Sequence, residues 1–177
     1  MSNKVKIGVL GAGTWGIALA RLLSNAGHSV TVWSAIEEEI DILSSTRRHP
    51  NIPDIELPEQ IKYTKEIKLA CLDQKLILFA VPSPFVRSTA RMAAPYISAE
   101  QIIVDVAKGI EEETLLTMTD IIAEEIDRVF LRQRNDILYQ RLQGFRITMN
   151  IRYDPTIFHL FSFTLVSNAF HFTFDFF

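Results

Sequence analysis

Several residue types that would define a class of protein are scarce in this chain of 177 residues. Its one cysteine, Cys71, excludes an internal disulfide and is typical of a protein from a reducing compartment. An excess of positive charge is missing too, since 18 Lys and Arg residues stand against 21 Asp and Glu residues. We therefore expect no nucleic-acid partner. The histidines lack the spacing of metal ligands, and we expect no metal site: His28, His49, His159 and His171.

An uninterrupted apolar segment of membrane-spanning length is also missing. Residues 157–177 are long enough to cross a bilayer, but His159, Asn168, His171 and Asp175 interrupt them. The N-terminus enters a strand pattern directly after Met-Ser-Asn-Lys, which predicts that there is no signal peptide. The sequence thus predicts a cytoplasmic protein without a membrane span.

Glycine is scarce as well, with seven residues, but four of the seven stand within residues 8–16. Gly11, Gly13 and Gly16 follow an apolar strand pattern at residues 5–10 and precede a helical pattern at residues 17–26. This G-x-G-x-x-G spacing between a strand and a helix is typical of a dinucleotide-binding turn. Gly11 permits a tight turn, Gly13 lets a pyrophosphate approach the backbone, and Gly16 lets the helix pack against the strand. A plain glycine-rich turn is the alternative.

Strand and helix patterns alternate along residues 1–126, which predicts an α/β fold with a Rossmann-type, doubly wound, mostly parallel sheet. Short apolar runs predict strands at residues 30–33, 61–64, 76–81 and 101–106. Apolar residues at helical spacing predict helices at residues 37–46, 66–71, 84–94 and 111–126. The last of these begins with three glutamates, as the helix dipole favours. Three prolines in residues 47–58 predict a non-helical loop beside the cofactor site.

The end of the second predicted strand bears on which dinucleotide binds. An acidic residue there commonly bonds the ribose 2′-OH of NAD, whereas this chain has Ser34, with Glu37 as the nearest acid. Ser34 does not repel a 2′-phosphate, and Arg47 or Arg48 is able to pair with one. The sequence therefore favours NADP(H), or the use of both nucleotides. The alternative is that both arginines are merely solvated.

Two later strand ends are expected at the same edge of the sheet. Pro82 and Ser83 follow one buried strand, and we expect Ser83 to cap the next helix and this turn to line the cofactor crevice. A purely structural cap is the alternative. Lys108 follows the strand at residues 101–106, where ligands of open α/β sheets bind, so it is placed to meet an anionic group. From spacing alone, a solvated Lys108 is the simpler interpretation.

The tracts GAGTWGIALA, FAVPS and VAKGIE, in this order and separation, resemble the N-terminal half of bacterial NAD(P)-dependent glycerol-3-phosphate dehydrogenases. The tract RRHPNIPDIELP resembles the loop after the second strand in that family. The resemblance covers about residues 4–126. It implies reversible hydride transfer between NAD(P)H and dihydroxyacetone phosphate, which gives sn-glycerol 3-phosphate for phospholipid synthesis. It also implies that Lys108 contacts both the substrate and the cofactor.

The candidate cofactor-binding residues combine the glycine motif, the turn after the strand at residues 76–81 and the residues that the resemblance assigns. They are Gly11, Gly13, Thr14, Trp15, Gly16, Ser34, Arg47, Arg48, His49, Pro82 and Lys108. Lys108 is also the candidate substrate-binding residue.

The resemblance ends near residue 126. The family continues with a substrate-binding S-G-P tract and a helical domain that bears a catalytic lysine, whereas residues 127–177 contain no lysine. They contain ten of the twelve phenylalanines and one glycine, Gly144. We therefore expect two regions, a dinucleotide-binding domain at residues 1–126 and an atypical Phe-rich tail at residues 127–177, with no catalytic residue in this chain.

Alternatives remain open for the tail and for the function. A helical pattern at residues 129–142 and alternating phenylalanines at residues 170–176 predict a helix and a strand in the tail. The tail is either a native extension that docks its aromatic residues onto the sheet or a partner, or the product of a frame change or premature end in a full-length gene, with residues never selected to pack with this domain. The alternative function is a non-catalytic NAD(P)-binding module whose tail mediates association. A weaker alternative is a ketopantoate-reductase-like protein. Homo-oligomerisation is left open.

Overall fold

The computed structural model describes residues 4–133, 161–167 and 170–176. In chain order the helices and strands are β1 (Lys6–Leu10), α1 (Thr14–Asn25), β2 (Ser29–Trp33), α2 (Glu37–Thr46), β3 (Arg48–His49), β4 (Ile52–Glu56), β5 (Lys62–Thr64), α3 (Ile67–Cys71), β6 (Leu76–Phe79), α4 (Val86–Ala93), β7 (Ile102–Asp105), α5 (Met118–Gln133), β8 (Phe161–Ser167) and β9 (Phe170–Phe176). Short 3₁₀ turns at Ser83–Phe85 and Ala94–Tyr96 flank α4.

The main sheet has five parallel strands in the order β5-β2-β1-β6-β7. The register aligns Leu10 with Trp33 of β2 and with Phe79 of β6, and it aligns Phe79 with Asp105 of β7. These four residues form one row, so the segments that follow them leave the sheet at a common carboxyl edge. The strand order reverses at β1, which is where open α/β sheets bind their ligands. The predicted doubly wound, mostly parallel fold is confirmed.

Helices cover both faces of this sheet, and each face has its own apolar core. On one face α1 and α2 pack against the strands and bury Val9, Ile17 and Val32. On the other face α3, α4 and α5 pack against the strands and bury Phe79 and Ile121. Because both faces are covered, the central strands are continuous apolar runs rather than alternating ones.

Close packing of α3 on β1 depends on Gly8, a residue that the sequence pattern did not single out. A Cβ at Gly8 would overlap the backbone carbonyl oxygen of Ala70, the fourth residue of α3. Gly8 therefore brings a helix into direct contact with the central strand, close to the turn that begins at Gly11.

The predicted helix at residues 111–126 is wrong at its start, because α5 begins at Met118. Thr117 provides the signal for this start. Its Oγ1 accepts the backbone N–H of Asp120 at 3.2 Å, as an N-cap side chain does, and donates to the Asp120 carboxylate at 2.7 Å. Glu111 instead pairs with Arg87, so the three glutamates do not form a first helical turn.

The end of α5 lies at Gln133, beyond the predicted end at residue 126. The expected division between residues 126 and 127 therefore falls inside a helix, and the division into two domains stays a prediction. The second helix expected at residues 129–142 is part of α5 up to Gln133, and its remainder lies outside the described residues.

The segment at residues 47–58 is non-helical, as predicted, but it is more regular than a loop. Strands β3 and β4 pair antiparallel, with Arg48 opposite Glu56 and His49 opposite Ile52. We call residues 48–56 the β3–β4 hairpin. Prolines are tolerated here because the two strands belong to a separate two-stranded ribbon rather than to the centre of the main sheet.

Strands β8 and β9 pair antiparallel, with Phe161 opposite Phe176 and Ser167 opposite Phe170. The strand predicted from the alternating phenylalanines is thus present as β9. Both interpretations of the tail stay predictions. Over the three ranges that the structure describes, no helix is sufficiently long and apolar to traverse a lipid bilayer.

Candidate functional site

The turn between β1 and α1 is shaped by glycines that leave no room for side chains. Gly11 has a φ of +119°, and a Cβ there would lie 2.6 Å from the carbonyl oxygen of Ala80. A Cβ at Gly16 would overlap the carbonyl oxygen of Gly11. Gly11 also donates its N–H to the carbonyl oxygen of Trp33 at 2.8 Å, which continues the β1–β2 ladder into the turn. The turn is therefore fixed by backbone packing against the ends of β2 and β6.

Gly13 differs from both of these glycines. Its backbone is extended (φ −64°, ψ 173°), a conformation that any residue adopts. A Cβ at Gly13 would have no neighbour within 4 Å in the described part of the chain. Neither the backbone conformation nor the packing of the residues that the structure describes requires glycine here. The N-terminal turn of α1 thus presents bare backbone amides to solvent, with the positive end of the helix dipole behind them.

Thr14 and Trp15 follow in the first turn of α1, and the β3–β4 hairpin reaches them. The side chain of Asn51, in the hairpin turn, donates from Nδ2 to Thr14 Oγ1 at 3.0 Å. Trp15 is 41% exposed, which is unusual for such a large apolar residue and leaves its ring accessible beside the glycine turn. The hairpin and the glycine turn therefore meet at one side of the candidate site.

The end of β2 carries a carboxylate that the sequence analysis did not assign. Ser34 is buried, with 6% exposure, and its Oγ donates to Oε2 of Glu39 at 2.6 Å. The same Oγ accepts the backbone N–H of Ile36 at 3.1 Å. Because Trp33 bonds Gly11, Ser34 leaves the sheet directly beside the glycine turn. An acidic group is thus present at this strand end, although it comes from α2.

The side chain of Arg47 is held by contacts with other residues of the protein. It ends α2 in the left-handed conformation, with φ 54°. Its Nη1 donates to the carbonyl oxygen of Ile61 at 2.7 Å, and the guanidinium lies over the ring of Tyr63, 5.2 Å from its centroid. Burial raises the pKa of Tyr63, and the nearby guanidinium opposes that effect.

Arg48 and His49 make contacts within the β3–β4 hairpin. Arg48 is exposed, donates to the carbonyl oxygen of Pro53 at 2.7 Å and pairs with Glu56 at 3.5 Å. His49 is buried, and its Nδ1 accepts the backbone N–H of Asn51 at 3.1 Å. Both side chains already have partners in the protein, as Arg47 has. Contact between the cofactor and these three residues stays a prediction.

The turn after β6 lies beside the loop that carries Lys108. Pro82 is exposed, and the helix that follows begins as a 3₁₀ turn at Ser83–Phe85. The expected cap by the Ser83 side chain is wrong, because Pro82 takes the N-cap position and no side-chain hydrogen bond caps the turn. A Cβ at Gly109 would lie 3.7 Å from Ser83 Oγ, so the two loops contact each other.

Lys108 is exposed and makes no hydrogen bond or ion pair with the residues that the structure describes. On its N-terminal side, the carboxylate of Asp105 accepts the backbone N–H of Ala107 at 2.9 Å. Asp105 is buried, and the burial raises its pKa to about 6, while its bonds to Ala107 and Thr119 act in the opposite direction. Gly109, with φ +121°, turns the chain immediately after the lysine.

On the C-terminal side, Glu111 ties the Lys108 loop to α4. Arg87 Nε and Nη2 donate to its two carboxylate oxygens at 2.7 and 2.6 Å. This pairing holds the pKa of Glu111 at about 2 and raises that of Arg87. Arg87 Nη1 also donates to Glu124 and Glu125 of α5, each at 2.8 Å. The loop is therefore tethered on both sides of Lys108.

The structure thus brings the predicted residues to one edge of the sheet in two groups. Gly11, Gly13, Thr14, Trp15, Gly16 and Ser34 surround the β1 and β2 ends, with Arg47, Arg48 and His49 in and beside the hairpin. Pro82 and Lys108 lie at the β6 and β7 ends. Sequence reasoning missed Glu39, Asn51, Asp105 and Arg87. Two local signals were available: Asp105 stands directly before the Val-Ala-Lys-Gly tract, and Glu39 lies five residues after Ser34. Asn51 and Arg87 instead bond residues 37 and 24 positions away.

The fold and the glycine turn define a Rossmann-type dinucleotide-binding domain. Residues 6–131 match the family described as NAD-dependent glycerol-3-phosphate dehydrogenase N-terminus. The chain belongs to this family.

The chain is similar to glycerol-3-phosphate dehydrogenases (NAD(P)+) of several bacteria. The chain is 64% identical over 123 residues to glycerol-3-phosphate dehydrogenase (NAD(P)+) 2 of Lactobacillus delbrueckii subsp. bulgaricus, covering 70% of this chain and 36% of the relative. It is 45% identical over 122 residues to the enzyme of Agathobacter rectalis, covering 68% and 36%. The crystal structure of glycerol-3-phosphate dehydrogenase from Coxiella burnetii has a TM-score of 0.65 at 29% identity, covering 70% and 38%.

Proposed function

We propose that this chain is the NAD(P)-binding half of a glycerol-3-phosphate dehydrogenase that reduces dihydroxyacetone phosphate to sn-glycerol 3-phosphate in the cytoplasm, for glycerophospholipid synthesis. The pyrophosphate binds the backbone amides at the start of α1, with Thr14 and Trp15 beside it and Pro82 across the crevice. When bound, the nicotinamide supplies the hydride. Lys108 supplies positive charge for the substrate phosphate and the cofactor.

One observation supports this proposal above the others. Gly13 has an ordinary backbone conformation and open space where its Cβ would be, so nothing in the described residues accounts for glycine at this position. Gly11 and Gly16, by contrast, are needed for packing. A ligand that must touch the backbone explains the missing side chain, and a pyrophosphate at a helix N-terminus is such a ligand.

The sequence favours NADP(H) over NAD(H), and the structure has features that support this preference and features that oppose it. Ser34 is neutral, and Arg48 is exposed near the same edge. Glu39, however, accepts a hydrogen bond from Ser34, so a carboxylate lies at this strand end. The side chains of Arg47 and Arg48 already donate to backbone carbonyls. We therefore propose that the site accepts both nucleotides. The preference for NADP(H) stays a prediction from the sequence, and the bond between Ser34 and Glu39 argues against it. Assembly into a homo-oligomer also stays a prediction.

The chemical step needs a proton donor for the developing alkoxide, and this chain has no residue that we assign to that role. The chain spans about a third of the length of the curated relatives it matches, with 36% of each covered. We therefore propose that this chain binds NADH and NADPH but does not turn over dihydroxyacetone phosphate by itself.

A titration followed by an assay tests this proposal. Purified full-length chain is titrated with NADH and with NADPH, and nicotinamide absorbance is then followed after addition of dihydroxyacetone phosphate. We expect saturable binding of both nucleotides and no oxidation above the rate without protein. Oxidation that depends on both protein and substrate would show that the chain holds a complete catalytic site. Failure of both nucleotides to bind well-folded protein would contradict the proposed function.

A further inference from the structure

We propose that Glu39 determines nucleotide choice in this site. Its carboxylate accepts a hydrogen bond from the adenosine ribose 2′-OH of NAD(H), and its negative charge repels the 2′-phosphate of NADP(H). This inference rests on the proposed function, since it requires a dinucleotide at the glycine turn. It adds a specificity-determining residue that neither the glycine motif nor the strand end indicates.

The position of Glu39 is the first step of the argument. In dinucleotide-binding folds of this type, the group after the second strand faces the adenosine ribose. That position is Ser34, which the bond from Gly11 to Trp33 holds beside the glycine turn. Oε2 of Glu39 lies 2.6 Å from Ser34 Oγ, so the carboxylate is within one hydrogen bond of the strand end.

The orientation of Glu39 is the second step. Ser34 donates its hydroxyl hydrogen to Oε2, while its oxygen accepts the N–H of Ile36, so its one donor is used in holding the carboxylate. The other carboxylate oxygen, Oε1, has no hydrogen bond within the described part of the chain, and Glu39 is only half-buried. Oε1 is therefore available to accept a hydrogen bond from a ribose hydroxyl.

The charges nearby are the third step. The Arg47 guanidinium donates to the carbonyl of Ile61, and that of Arg48 donates to the carbonyl of Pro53 and pairs with Glu56, so neither is directed at Glu39. Lys65 pairs with Glu37 at 3.2 Å and with Asp41 at 2.9 Å, not with Glu39. No cation in the described ranges forms an ion pair with Glu39. A 2′-phosphate at this strand end would therefore meet an uncompensated negative charge.

The neighbouring acids on α2 provide a matched control. Glu38 lies next to Glu39 in the same helical turn, carries the same charge and is exposed. It has no bond to Ser34. A general effect of helix charge on nucleotide binding would therefore appear equally in Glu38→Gln and Glu39→Gln, whereas a direct contact would appear only in Glu39→Gln.

The test compares the ratio of the dissociation constants for NADPH and NADH in wild-type chain, Glu39→Gln, Glu39→Ala and Glu38→Gln, measured by calorimetry at fixed salt. Glutamine keeps an acceptor for Ser34 but removes the charge. We expect the ratio Kd(NADPH)/Kd(NADH) to fall about tenfold in both Glu39 variants and to stay within about twofold in Glu38→Gln. Thermal unfolding confirms that each variant is folded.

The outcomes separate this inference from the proposed function. An unchanged or increased ratio in both folded Glu39 variants overturns the role of Glu39, as does an equal fall in Glu38→Gln. If wild-type chain binds neither nucleotide, the proposed function itself fails. If wild-type chain binds both and only the ratio is insensitive to Glu39, the proposed function stands without this residue.

Discussion

Two loops at the carboxyl edge of the sheet are held in opposite ways. The turn at residues 11–16 is held by the absence of side chains, because Gly11 and Gly16 pack their backbone against neighbouring carbonyls. The loop at residues 106–117 is held by charged side chains, with Asp105 on one side of Lys108 and the Glu111–Arg87 pair on the other. One loop presents backbone N–H groups, and the other presents an ammonium group.

This difference decides how each loop responds to substitution. A backbone that contacts another backbone has no side chain that can move aside, so an added methyl group displaces the whole helix. A loop tethered by carboxylates responds instead to the protonation of those carboxylates. The glycine turn should therefore be sensitive to volume and insensitive to pH, and the Lys108 loop should show the reverse.

The largest expected effect is that of Gly16→Ala. The added Cβ would overlap the carbonyl oxygen of Gly11, a backbone atom, and would also lie 3.3 Å from the Cβ of Ala80. We expect a loss of about 4 kcal/mol or more in the free energy of unfolding, measured by urea denaturation. Gly13→Ala, the same substitution three residues earlier, is the control and should cost less than about 1 kcal/mol. Similar losses in the two variants would contradict the packing role assigned to Gly16.

A smaller effect is expected from Asp105→Asn, and it should depend on pH. Burial raises the pKa of Asp105 from 3.8 to about 6, so the folded protein binds a proton more tightly than the unfolded chain does. This contribution to stability is complete below pH 4 and is lost as the pH rises through 6. The loss amounts to about 3 kcal/mol, and asparagine removes it while keeping an acceptor for the Ala107 N–H.

Urea denaturation of both proteins at several pH values measures this effect. The stability of Asp105→Asn minus that of the wild-type chain should increase by about 2 kcal/mol between pH 4 and pH 7. Because Glu111 and Glu125 have lowered pKa values in both proteins, their contributions cancel in the difference. A difference that stays constant over this range would mean that Asp105 ionises without penalty.

The same contrast between the two loops explains which features of the fold and the site could be predicted from the sequence. The sheet, its flanking helices and the glycine turn depend on local patterns, such as the apolar run before Gly11 and the spacing to Gly16, and these patterns were sufficient. The start of α5 was misplaced because Glu111 is held by Arg87, 24 residues away in the sequence. Glu39 was missed for a related reason: the strand-end rule points to the residue after the strand, whereas the carboxylate here comes from the next helix.

The smallest expected change in stability, and the most direct test of the account, is that of Gly13→Val. Its backbone conformation is open to valine, and a Cβ there has no described atom within 4 Å, so the thermal unfolding midpoint should stay near that of an Ala18→Val control on the same helix. Calorimetric titration with NADH and NADPH should then show that wild-type chain and Ala18→Val bind, and that folded Gly13→Val does not. Binding by Gly13→Val with wild-type affinity would contradict the claim that the bare amides of this turn hold a pyrophosphate.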